Sequence, residues 1–123
     1  MTYYRLDDDE KRIIRAAIRL DDKRRRGKIK RHKTRFDKKA REAIKKAERD
    51  IELGGATEEV RAVLIRKIRE NIINGTTWER LGETYCGRDT FYRYSRNYQH
   101  LIARYMGIIS YSSNIQSDDG DNG

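Results

Sequence analysis

Arg88, Asp89, Tyr92, Arg93 and Arg96 carry the most usable chemistry in this chain, because their spacing puts them on one side of a single helix. If Phe91, Tyr94 and Tyr98 turn toward a core, the 3.6-residue period leaves the other set facing outward. Such a face is chemically suited to base edges: an Arg fork matches O6 and N7 of guanine, and an aromatic ring can touch the thymine methyl group. Arg88, Asp89, Tyr92 and Arg93 occupy the N-terminal end, the part of a recognition helix that meets bases. Arg96 lies farther along and is placed for phosphate, together with Thr76, Thr77 and the amides opening the preceding helix.

Positioning that face requires a second element close by. Thr76 and Glu79 have the spacing of a capping box, which predicts a short helix from Thr77 with Trp78, Leu81 and Tyr85 on one side. Tyr85-Cys86-Gly87 then joins it to a helix from Arg88 to Met106, whose expected apolar stripe is Phe91, Tyr94, Tyr98, Leu101, Ile102 and Tyr105. Two helices across a tight joint make a helix-turn-helix over Thr76 to Met106. Upstream, Thr57 opens a helix with Val60, Val63, Leu64, Ile68 and Ile72 on one face, closed by Asn74-Gly75.

The first half reads as two more helices. Acids at Asp7 to Glu10 precede Ile13, Ile14, Ala17, Ile18 and Leu20, which predicts a helix from Asp8 to Arg25. Phe36, Ala40, Ala43, Ile44, Ala47 and Ile51 form a narrow stripe on another, stopped at Gly54-Gly55; it suits either an internal partner helix or a seam with a second copy. The expected architecture is all-α: a basic helical segment over 1–55, a helix-turn-helix domain over 56–109, and a disordered acidic tail over 110–123. Proline is absent, which favours uninterrupted helices.

Charge is unevenly distributed. Residues 1–55 hold 20 Lys and Arg against 11 Asp and Glu, whereas residues 56–123 hold 9 of each. Nine of the thirteen residues from Lys23 to Arg35 are basic, and none is acidic. Read functionally, Arg24, Arg25, Arg26, Lys28, Lys30, Arg31 and Lys33 make a phosphate-tracking arm; read blandly, the run is a solvated connector. An excess of this sign favours a polyanion, double-stranded DNA first, and a second copy of the chain is a further candidate partner.

Several classes are excluded from the outset. No apolar run approaches the roughly 18 to 20 residues of a membrane span, and the N-terminus lacks a signal-peptide core, so no membrane partner and a cytoplasmic location are expected. Cys86, the one cysteine, cannot form an internal disulfide, and with His32 and His100 it makes no local metal site; it reads as a small buried hydrophobe. No paired acids, Ser-His-Asp order or phosphate loop suggests catalysis, so neither an enzyme nor a cofactor is expected.

From Val60 through Ile108 the chain resembles the RinA/ArpU-type phage transcriptional regulators, which in turn resemble the sigma-factor region that contacts the −35 promoter element (region 4). The likeness is carried by Thr76-Thr-Trp-Glu-Arg-Leu81, by Gly87-Arg-Asp-Thr90 where that group has a Ser-Arg-x-Thr-like element, and by the closure Leu101-Ile-Ala-Arg-Tyr-Met-Gly107. It implies a sequence-specific DNA-binding transcriptional regulator, an activator of phage or prophage late genes that acts in a bacterial host cell, with RNA polymerase as a candidate partner. Two other functions fit the residues: a small-terminase-like DNA-packaging or assembly component that oligomerises through the Phe36 to Ile51 helix, and a basic RNA-binding module.

Overall fold

The computed structural model describes residues 5–27 and 34–109. Among them are four α-helices, α1 (Asp8–Arg25), α2 (Arg35–Asp50), α3 (Glu58–Asn74) and α4 (Arg88–Tyr105), one 3₁₀ turn at Trp78–Arg80, and no strand. The chain is all-helical, as its periodicity predicts. Lys28, Lys30, Arg31, Lys33 and the expected acidic tail lie outside the described residues.

Side-chain caps account for the starts of α1, α2 and α3, while α4 starts from Gly87 without one. Asp7 caps α1 by accepting from the Glu10 N–H at 2.8 Å, while the Glu10 carboxylate accepts from the Asp7 N–H at 2.9 Å. The same reciprocal box opens α2, where Thr34 and Asp37 exchange bonds of 3.1 and 2.8 Å. Thr57 caps α3 through the Val60 N–H at 3.2 Å. Gly75 ends that helix in the left-handed region at φ 70°. Gly54 is constrained more tightly: at φ 67°, a Cβ there would also lie 2.9 Å from the Tyr94 hydroxyl.

A continuous apolar core joins all four helices, through Ile14 and Ile18 of α1, Ala43, Ile44 and Ala47 of α2, Leu64 and Ile68 of α3, and Phe91, Tyr98 and Ile102 of α4. The Gly54-Gly55 turn therefore connects helices of a common core. The α2 stripe is buried inside the chain except for Phe36, which is 46% exposed. On α4 the buried stripe differs from the expected one: Ser95 and Gln99 are buried, and Leu101 and Tyr105 only half-buried. The helix is rotated so that Gln99 meets α1, where Arg15 Nε donates to Gln99 Oε1 at 3.4 Å.

Ion pairs tie the helices across this core. Arg69 of α3 donates to Glu48 at 3.1 Å and to the Tyr98 hydroxyl at 3.2 Å, and lies 3.9 Å from both Asp21 and Asp22 of α1. Arg61 donates to the carbonyls of Ile51 and Glu48 at 2.8 and 3.0 Å, satisfying acceptors left open at the end of α2. Arg24 at the end of α1 meets Asp37 at the start of α2 at 2.8 Å, with both side chains buried.

The Thr34 backbone N–H holds the Asp37 carboxyl below its ordinary range against the opposing cost of burial, helped by the Thr34 hydroxyl and Arg24. Because folding lowers this pKa, the stabilisation is complete above the unfolded value near pH 4 and is lost as pH falls through the folded value. Asp37→Asn is expected to cost about 3 kcal/mol at neutral pH, leaving Arg24 buried without its counter-charge. It should also flatten the acid limb of melting temperature against pH; an unchanged acid limb would remove Asp37 as its source.

Candidate functional site

The segment from Thr76 to Gly87 does not fold as the expected short helix. Only Trp78–Arg80 forms a helical turn; it starts from Thr77 with no side-chain capping bond, so the Thr76/Glu79 box is not made. The Glu79 carboxylate instead lies 3.7 Å from Arg88. Past Leu81 the backbone leaves helical space, with Gly82 at φ 82° and Tyr85 at φ 61°. Tyr85, expected on the inner side, is 58% exposed, whereas Leu81 is buried and Trp78 half-buried.

Side chains from the flanking helices hold this loop in place of a helical ladder. From α3, Lys67 donates to the Leu81 carbonyl and Asn71 to the Thr76 carbonyl at 2.8 Å. From α4, the Tyr92 hydroxyl accepts from the Trp78 backbone N–H at 3.1 Å. Within the loop, Trp78 Nε1 donates to the Thr84 hydroxyl at 2.9 Å, which donates to the Cys86 carbonyl at 3.0 Å. Cys86 is half-buried against the core, and burial pushes its thiol up, away from the reactive thiolate.

Held this way, α4 has two unlike faces. Phe91, Tyr94 and Tyr98 are buried, while Arg88, Asp89, Arg93 and Arg96 are exposed. Tyr92 is half-buried, with its ring edge-on to Phe91 at 5.5 Å. Its hydroxyl is engaged by the loop, which gives it a positioning role as well as a place beside the exposed face. Arg93 lies 5.7 Å over the Tyr94 ring, a contact that restricts its guanidinium. Thr77 is exposed and Thr76 half-buried at the loop entrance.

The arginines at the end of α1 lie elsewhere. Arg24 is buried against Asp37, Arg25 lies 3.6 Å from Asp21, and Arg26 lies 3.2 Å from Asp22. Arg24 is thereby withdrawn from the phosphate-holding set, because its charge is neutralised inside the fold. A composition count registers a cation without registering the carboxylate that tertiary structure sets beside it.

The cations that join the α4 face come instead from earlier in α1. A groove of about 730 Å³ runs between the two helices, with Lys11, Arg15 and Arg19 on one wall and Arg93 and Arg96 on the other. None of the described residues lining it is acidic, and none of these five cations pairs with a described carboxylate within 4.0 Å. The i, i+4, i+8 spacing of Lys11, Arg15 and Arg19 is visible in the sequence, yet it is overshadowed there by the denser Lys23 to Arg35 run. At the groove's end, burial first and the Arg104 charge second lower the His100 pKa, keeping it neutral near pH 7.

No family model, curated protein or solved structure matches the chain. Among the described residues no cluster of His, Cys, Asp and Glu has the arrangement of a metal site, and no helix is long and apolar enough to cross a membrane.

Tyr92→Phe removes the acceptor of the Trp78 N–H and is expected to cost about 1 kcal/mol. Amide exchange should accelerate at Trp78 and its loop neighbours while the buried amides of α4 stay protected. Unchanged exchange at Trp78 would show that the loop is held by other contacts.

Proposed function

We propose that this chain is a sequence-specific DNA-binding transcriptional regulator that presents the N-terminal half of α4 to the major groove. The observation that carries this reading is the pair of faces on α4: an aromatic side anchored in the core, and an outer side bearing Arg88, Asp89, Arg93 and Arg96. A helix fits the major groove, and a rigid helix supports base readout better than a mobile loop. Arg88 and Arg93 are the base-reading arginines, Asp89 is the candidate acceptor for a cytosine amino group, and Arg96 and Thr77 approach phosphate. The resemblance of residues 60–108 to phage late-gene activators supports a transcriptional role, with RNA polymerase as a partner of the bound protein.

Selection from random duplexes at physiological salt is expected to return a defined motif. Arg93→Ala should weaken binding to that motif by about 1 to 3 kcal/mol and relax preference at one position, with little change on unrelated duplexes. If the variant binds selected and random duplexes as the parent does, α4 is not the reading helix.

A further inference from the structure

We propose that the groove between α1 and α4 is a phosphate-backbone site for duplex DNA, in which Lys11, Arg15 and Arg19 on one wall and Arg96 on the other hold the strand flanking the bases read by α4, while Arg93 stays with the base-reading set. This rests on the DNA-binding reading above and adds to it a contact surface from the opposite end of the chain.

Length and spacing favour an extended polyanion over a small anion. Lys11 to Arg19 covers eight residues of α1, about 12 Å at 1.5 Å per residue. One strand of a duplex advances about 3.4 Å per phosphate, so a row of this length faces three to four phosphates. Three cations about 6 Å apart are spread along that run of phosphates, whereas a single phosphate would need them convergent on one point.

The groove is also built in advance. Arg15 Nε donates to Gln99 Oε1 at 3.4 Å, and Gln99 Nε2 in turn donates to the Ser95 carbonyl and hydroxyl, each at 3.3 Å. Ser95 and Gln99 are buried, so Arg15 is fixed to a rigid floor with its terminal nitrogens left for a ligand. Anchoring a long side chain before binding reduces the entropy lost on binding.

A comparison within the molecule shows that cation number alone does not make such a site. The cleft between α1 and α2 is also lined by Arg24, Arg25, Lys38, Arg41 and Lys45, yet Asp21, Asp37 and Glu42 lie among them. Asp37 pairs with Arg24, and Asp21 with Arg25 and Arg41. That cleft is largely self-neutralised, whereas the α1/α4 groove keeps its field for a partner.

The test measures duplex affinity of the full chain against salt concentration, on random duplexes and on duplexes carrying the selected motif. The triple variant Lys11→Gln, Arg15→Gln, Arg19→Gln is expected to lower the slope of log affinity against log salt by about 2.7, at roughly 0.9 per phosphate contact. It should weaken both duplex classes by the same factor and leave the selected motif unchanged. Lys11→Gln with Arg19→Gln spares the Arg15–Gln99 contact, so it keeps the fold intact if the triple variant does not, and should lower the slope by about 1.8.

A control triple, Lys38→Gln, Lys45→Gln and Arg66→Gln, removes equal charge away from the groove and should leave the slope near that of the parent. An unchanged slope in the groove variants, or an equal loss in the control, overturns the groove while leaving the α4 reading intact. A parent chain that binds no duplex at low salt overturns both. Tighter binding of structured RNA than of duplex, lost in the groove variants, would reassign the groove to RNA and overturn the duplex site.

Discussion

The guanidinium of Arg69 is the point through which the four helices are held to one another. It is a α3 side chain only 12% exposed, and it meets Glu48 of α2, the Tyr98 hydroxyl of α4 and two carboxylates of α1. Arginine can do this where lysine cannot, because its planar fork presents five donors in fixed directions and stays charged when buried. Tyr98 completes the arrangement by donating to Glu48 at 2.8 Å; burial and then the Glu48 charge push its pKa upward, so it remains a neutral donor. A buried charge cluster of this kind specifies relative helix placement, since the guanidinium is satisfied only when all four elements are in register.

This cluster also shapes the electrostatics of the surface. By drawing Asp21, Asp22 and Glu48 toward Arg69, the fold gathers these acids into a cluster that lines no part of the groove between α1 and α4. Lys11, Arg15 and Arg19 are left facing α4 with no carboxylate among the residues lining the groove between them. Burying one cation among acids thus helps free several others, and the field that reaches solvent differs from the one a linear count suggests.

How legible the molecule is in its sequence depends on the range of the forces involved. The helices α1 and α3 have the ends that Asp8, Arg25, Thr57 and Gly75 predict, because caps and apolar periodicity act within a turn or two. The exposed arginines of α4 follow from the same periodicity, since anchoring Phe91 and Tyr98 fixes the opposite side. The segment after Gly75 is not legible this way. Its capping pattern is genuine as a pattern, but Lys67, Asn71 and Tyr92 supply competing hydrogen bonds from 5 to 14 residues away, and local helix formation loses to them. Arg24 fails for the same reason, its neutralising Asp37 arriving from the next helix.

A surface assembled from both ends of the chain makes the proposed binding depend on folding. Neither α1 nor α4 alone presents two walls; the groove exists because Ile14, Ala17 and Ile18 bury against the shared core while Arg15 reaches Gln99. An isolated α4 would keep its arginines but lose the rigid aromatic anchor that aims them, and an isolated α1 would be a short charged helix of marginal stability in water. On the proposed DNA-binding reading, the affinity contributed by α1 and the selectivity contributed by α4 are therefore coupled through the same buried contacts. On the same proposal, a core substitution that loosens α1 would weaken phosphate binding without touching a proposed base-reading residue, so altered DNA binding in a core variant would report lost groove geometry before a lost contact.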